Sequence, residues 1–124
     1  MKVLVVDDSV VMRKVLIGAL RQAQIEDVDQ AGDGAEAVRA VEGTNYDLIL
    51  MDWNMPNMLG IDALKAIRAA GHTMPVIMVT TEAEKARVLD AIKAGASNYI
   101  IKPFEPSTIV SKILDVLAKA RGGG

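Results

Sequence analysis

"LILMDWNMPN", residues 48–57, carries four apolar residues straight into an aspartate, a tryptophan and a turn built on Asn54, Met55 and Pro56. A short continuous apolar run bounded by turn residues is the pattern of a strand covered on both faces, as in parallel sheets packed between helices. The question it raises is why such a strand should end on a carboxylate.

Working outward, the same unit recurs along the chain. "KVLVV" (2–6) reads as a strand. "SVVMRKVLIGALRQA" (9–23) then sets Val11, Val15, Ile17 and Leu20 among polar residues at helical spacing, with Ser9 able to cap the start. "EDVDQA" (26–31) is a weaker, polar strand and "GAEAVRAVEG" (34–43) a short helix ended by Gly43. The third strand is 46–52, followed by a helix over 59–71 with Gly71 as its stop. The fourth is 75–80, followed by a helix over 82–95 with Val88, Leu89 and Ile92 on one side. The fifth, 98–102, leads through Pro103 to a helix over 106–120, where Pro106 suits a first turn. In that last helix Ile109, Val110, Ile113, Leu114, Val116 and Leu117 form a wide apolar face, mostly for core packing.

Five strands alternating with five helices predict one α/β domain over residues 1–120, with a five-stranded parallel sheet and helices on both faces, because crossovers of this length join parallel strands. A doubly wound order such as 2-1-3-4-5 is allowed. The closing residues 121–124 read as a disordered tail or an expression remnant.

In a parallel sheet all carboxyl ends lie on one edge, where ligands bind at the switch in strand order. The first strand ends in Asp7 and Asp8, the third in Asp52, the fourth in Thr80 and Thr81, and the fifth in Lys102. Converging carboxylates repel unless a cation lies among them. A hard divalent ion suits oxygen donors, and Mg2+ matches Asp8 and Asp52 as direct ligands with Asp7 acting through water and Lys102 opposite. Taken singly, Asp7 or Asp8 also reads as a helix cap, Asp52 as a turn cap and Lys102 as a surface lysine. Their coincidence on one predicted edge favours a site. Met12, Met51 and Met78 read as core filler, Met55 and Met58 as parts of the turn, and His72 as a solvated loop residue away from the acidic edge.

Composition narrows the classes. The 124 residues are 51% apolar, enough for a core, with net charge −2 and pI about 5.3. Basic residues are scattered, so no nucleic-acid footprint is visible. The absence of cysteine removes disulfides and thiolate chemistry. No run approaches the roughly 20 apolar residues of a membrane span, and no signal peptide is visible. A cytoplasmic location is expected.

"LVVDDS" (4–9), "DWNMPNMLG" (52–60), "VTTEA" (79–83) and "AGASNYIIKPF" (94–104) together resemble the acidic pair, phosphoacceptor turn, switch threonine and lysine-proline motif of response regulator receiver domains, particularly the single-domain chemotaxis type. The resemblance runs from Lys2 to about Ala120 and implies a flavodoxin-like sheet of order 2-1-3-4-5 with a cis Lys102–Pro103 peptide. It implies that Asp52 is phosphorylated by a histidine kinase, with Lys102 and Thr80 assisting and Mg2+ held by Asp7, Asp8, Asp52 and the Asn54 carbonyl. Thr80 and Tyr99 would form a switch pair. Asn54, Thr81 and Glu82 would set the lifetime of the phosphoryl group. Such a protein catalyses its own phosphorylation and dephosphorylation without being a turnover enzyme, acts as a monomer, and docks through residues 84–120 on a target such as a flagellar motor switch component, with a phosphatase as a further partner. Leu59 and Asn98 depart from the small polar or acidic residue and the glycine common at those positions.

Two other classes share these features. A magnesium-dependent hydrolase with an aspartate nucleophile would need a second acid/base carboxylate two residues after Asp52, where Asn54 stands. A phosphate sink, or a binding module that is never phosphorylated, shares the fold.

Overall fold

The structure is a computed structural model that describes residues 1–122. Its elements follow in the order β1 Lys2–Val6, α1 Val10–Gln22, β2 Asp27–Ala31, α2 Gly34–Gly43, β3 Leu48–Met51, α3 Gly60–Ala69, β4 Val76–Thr80, α4 Lys85–Lys93, β5 Asn98–Ile101 and α5 Pro106–Gly122. The five strands form one parallel sheet of order β2-β1-β3-β4-β5, the arrangement the resemblance implied. Val3 pairs with Leu48 and Leu4 with Ile49 at its centre, so the ends of β1 and β3 come level with each other. Helix α5 runs two residues past the expected domain end at 120, and the rest of the expected tail lies outside the described residues.

The pleat divides the core in two. Alternate strand residues point to opposite faces, so Leu4, Val6, Ile49, Met51, Val76 and Met78 meet α2, α3 and α4, where Ala37, Val41, Leu64, Ile67 and Ala91 close over them. Val3, Val5, Leu48, Leu50, Ile77 and Val79 meet α1 and α5 through Leu16, Leu20, Ile109 and Ile113. Each aliphatic side chain so buried contributes roughly 1.5–3 kcal/mol. β1, β3 and β4 are covered on both faces, which is why they read as unbroken apolar runs. No helix among the described residues is long and apolar enough to cross a membrane.

Two helices bury only part of their expected faces, Ile17 and Leu20 on α1 and Val88 on α4. On α1, Val11 and Val15 are exposed, while Leu16, Ala19 and Leu20 face the sheet. Apolar residues surround this helix on nearly every side, so periodicity could not choose among its faces. The contact with α5 and the sheet does. On α4, Leu89 and Ile92 are exposed and the small Ala91 faces inward between Val88 and Ala94. Met51 and Met78 are core residues as expected, and Met12 packs half-buried at the edge of the α1–α5 core. Met55 lies in the turn, yet it is buried and belongs to the core beneath α2–α4.

Two glycines set the ends of α3. Gly71, at φ +92, stops the helix where the sequence placed its end. Gly60 opens it directly against the carbonyl of Asp52, and its own N–H donates to the Trp53 carbonyl at 2.8 Å. A Cβ on Gly60 would collide with the Asp52 backbone. Gly60→Ala is expected to lower unfolding free energy in urea by roughly 3 kcal/mol. Gly18→Ala, inside α1 with no heavy atom within 4 Å of the added Cβ, should instead raise it by roughly 0.5–1 kcal/mol.

Candidate functional site

The carboxyl edge of the sheet gathers the acidic residues and the lysine that end its strands. Asp7 follows β1, and its N–H is held by the Ala31 carbonyl at 3.1 Å. Asp52 follows β3, its N–H bonded to the Val6 carbonyl at 3.0 Å. Register therefore places the two carboxylates together. Lys102, one residue past β5, donates to Asp7 Oδ2 at 2.8 Å and to Asp52 Oδ2 at 3.3 Å. Its N–H bonds the Thr80 carbonyl at 2.9 Å, which fixes where its stem begins. The Lys102–Pro103 peptide is cis, as the resemblance implied.

The remaining oxygens are also engaged. Asp7 Oδ1 accepts from the N–H of Ser9 at 2.9 Å, and Ser9 in turn caps α1 by accepting from the Met12 N–H at 3.1 Å. Asp52 Oδ1 accepts from the Trp53 N–H at 2.7 Å. Asp7 is 1% exposed and Asp52 8%, whereas Asp8 lies open to solvent. Burial pushes the Asp52 carboxyl above its ordinary value against the pull of Lys102, and the charge of Asp7 pushes the same way. For Lys102, burial disfavours the charge, but the hydrogen bond to Asp7 and the charges of both aspartates outweigh it and raise the ammonium.

Carboxylate oxygens of Asp7, Asp8 and Asp52 lie within 4.8 Å of one another. Three carboxylates against one ammonium leave an excess of negative charge, and the donors are all oxygen. That set fits a hard divalent cation such as Mg2+.

Above the edge, two loops meet. Asn54 Nδ2 donates to Glu82 Oε1 at 2.9 Å, linking the turn after β3 to the loop after β4. Thr80 is fully buried, its hydroxyl accepting from the Glu82 N–H at 3.3 Å, and Thr81 is exposed. Tyr99 turns inward from β5: its ring is buried and its hydroxyl donates to the Glu82 carbonyl at 2.6 Å. Burial, with the charges of Glu82 and Asp52, pushes that phenol up to about 12. Thr80 and Tyr99 thus grip the same loop residue. Asn98, in place of the expected glycine, accepts from the Tyr99 N–H at 2.8 Å. His72 lies in the turn between α3 and β4, half-buried and away from the acidic edge.

Two groups near the site were not anticipated. The Arg87 guanidinium lies over the Trp53 ring at 5.7 Å, joining α4 to the residue after Asp52. Asp33 caps α2 by accepting from the Glu36 N–H at 2.8 Å, and its other oxygen accepts from Asn57 Nδ2 at 2.6 Å. An aspartate three residues before a glutamate at a helix start is a legible cap signal. Nothing in the sequence announced the bond to Asn57.

A five-stranded sheet of this order with an acidic crevice at its switch point defines a flavodoxin-like domain. Residues 3–114 match the response regulator receiver domain family, and the chain belongs to it. Within that family it is of the CheY type. It is 43% identical over 127 residues to chemotaxis protein CheY homologs of Campylobacter jejuni, covering 100% of this chain and 98% of the relative. Among solved structures, CheY4 of Vibrio cholerae is similar at TM-score 0.84 and 35% identity, covering 93% of this chain and 97% of that one. A CheY-like receiver domain protein from Methanospirillum hungatei is similar at TM-score 0.90 and 28% identity, covering 99% and 98%.

The raised Asp52 carboxyl bears on stability. Such a group holds its proton more tightly folded than unfolded, so its ionised form opposes folding above the folded pKa. That opposition fades as pH falls through the folded value. Asp52→Asn is therefore expected to raise the melting temperature at pH 7, with the gain shrinking as pH is lowered toward the ordinary carboxylate value of 3.8. Thermal melts of both proteins across pH 4–8 measure it.

Proposed function

We propose that this receiver domain takes a phosphoryl group on Asp52 from a phosphohistidine of a partner kinase and relays that event through its α4–β5–α5 surface. The observation that carries this reading is the Lys102 ammonium bonded to both Asp7 and Asp52, beside Asp8, on one sheet edge. A carboxylate oxygen of Asp52 attacks phosphorus in line as the P–N bond to histidine breaks. The electron pair stays on the imidazole nitrogen, which takes up a proton, and an acyl phosphate remains on Asp52. Asp8, Asp52 and the Asn54 carbonyl would hold Mg2+ directly, and Asp7 would hold it through water. Magnesium, when bound, supplies positive charge toward the transferring oxygens.

Lys102 meets the same developing charge from the other side. Forming the acyl phosphate neutralises the Asp52 carboxylate and places phosphoryl oxygens within reach of Lys102, whose bond to Asp52 is the longer of its two. The Thr80 hydroxyl on β4 accepts from the Glu82 N–H and keeps its own proton to donate to a phosphoryl oxygen, so its movement toward Asp52 would draw the Glu82 loop with it. The loop gripped by Tyr99 would shift with it, biasing an existing equilibrium between two arrangements. Asn54, Thr81 and Glu82 ring the approach and would govern the entry of water.

Leu89 and Ile92 on α4, Ile101 on β5 and Leu114 on α5 are each more than 40% exposed. These side chains supply an apolar docking surface for a target protein. Similarity to CheY homologs makes a flagellar motor switch protein in the cytoplasm the proposed target, with a phosphatase acting at the acidic edge.

Incubation with acetyl phosphate and Mg2+, read by intact mass, should add one phosphoryl group to the parent protein and none to Asp52→Asn. Chelation of the metal should abolish the addition, and Lys102→Met should slow it by at least about tenfold. Unchanged labelling of Asp52→Asn would remove this reading.

A further inference from the structure

The loop between Asp52 and α3 carries the Asn54 carbonyl, and α3 holds its start, through the Gly60 N–H on the Trp53 carbonyl, but offers no side-chain cap. Leu59 stands at the N-cap of α3, is 41% exposed, and makes no side-chain capping bond. The short bond from the Met58 N–H to the Pro56 carbonyl, 2.7 Å, is internal to the loop. Among the described residues, two side-chain hydrogen bonds tie this loop to other elements. One joins Asn54 to Glu82, itself on a loop. The other joins Asn57 to Asp33, at the start of a helix packed on the core.

The second tie has the features of a built anchor. Asp33 is 9% exposed and needs only one carboxylate oxygen to cap α2, by accepting from the Glu36 N–H. Its other oxygen accepts from Asn57 at 2.6 Å, across 24 residues of sequence. Asn57 sits at φ +68, a left-handed conformation that asparagine tolerates better than most residues. The surfaces also touch directly. A Cβ on Gly34 would stand 2.6 Å from the Met58 carbonyl, so the loop's backbone lies against the first turn of α2 with no side chain between.

We propose that Asp33 and Asn57 are positioning residues that clamp the 54–58 loop to the start of α2, holding the Asn54 carbonyl at the acidic edge and thereby setting the affinity for Mg2+. The inference rests on the metal-assisted phosphoacceptor reading. It assigns to α2 a part in that site distinct from that of the sheet-edge groups, which hold the carboxylates, and of the buried Trp53 and Met55, which seat the loop in the core without fixing its polar backbone from the α2 side.

The test is Mg2+ titration of the unphosphorylated protein, followed by fluorescence of Trp53, the sole tryptophan and the residue next to Asp52. Asp33→Ser keeps a capping acceptor for Glu36 but is too short to reach Asn57. Asn57→Gly keeps the left-handed backbone and deletes the amide. Each should weaken the Mg2+ Kd by about tenfold, the size expected for losing a group that orients a metal ligand. The double variant should be no weaker than the worse single, because both remove one bond. Exchange of the pair, Asp33→Asn with Asn57→Asp, reverses donor and acceptor and should recover most of the affinity, which general destabilisation would not allow. Thermal melts without metal separate folding losses from binding losses. Parent-like Kd in both singles, strictly additive effects, or no recovery on exchange overturns the clamp while the phosphoacceptor reading stands. Failure of the parent protein to bind Mg2+ at all overturns both.

Discussion

An ammonium shared between two buried carboxylates holds this molecule's functional edge together. Asp7 is almost fully removed from water, and a carboxylate in that position is tolerable only with a partner and with its oxygens filled. Lys102 provides the charge from β5, two places away from β3 in the sheet, by reaching past the end of β4. The ends of β1, β3 and β5 are thereby tied by an electrostatic bond as well as by the backbone ladder. The same bond favours the ionised form of Asp52 in a place where burial alone would favour its protonated form. The charge balance at Asp52 is therefore set by how the sheet closes.

The helices around this edge are held unevenly, and the unevenness suits signalling. Neither α3 nor α4 has a side-chain cap, but α3 buries Ile61, Ala63, Leu64 and Ile67, whereas α4 buries Ala91 alone. What connects α4 and its preceding loop to the acidic edge is polar: Asn54 and Tyr99 on Glu82, Thr80 on the Glu82 N–H, and Arg87 over Trp53. Few buried apolar contacts mean that little free energy separates alternative placements of such an element. Polar ties made at the rim of a charged site change partners when that charge changes. Rigid strands and a lightly held α4 follow from the distribution of apolar side chains in the sequence.

The strands were legible because β1, β3 and β4 are sealed on both faces, which allows no polar residue until the strand ends. The first polar residue then marks the edge, and Asp7, Asp52, Thr80 and Lys102 could be found by reading where each apolar run stops. Helix faces were harder. α1 carries valines on its exposed side at Val10, Val11 and Val15, and α4 turns Leu89 and Ile92 outward while burying an alanine. Periodicity ranks faces by hydrophobicity, and it fails where α1 is apolar on nearly every side and where α4 carries its larger apolar residues on the outside. Met55 was hidden for the complementary reason, since a turn residue is buried only when α2 and α3 close around it.

The sequence by itself determined the alternation of elements, the parallel sheet and the convergence of the acidic residues and lysine, because each depends on patterns a few residues long. Strand order and the roles proposed for the site residues came with the family resemblance. Tertiary structure alone decided which oxygen meets which donor: Lys102 on Asp7 and Asp52, Tyr99 on the Glu82 carbonyl, Asn57 on Asp33. Those contacts join residues 17 to 95 positions apart. At such separations local propensity carries no information, and only the packing of the whole chain brings donor and acceptor within about 3 Å.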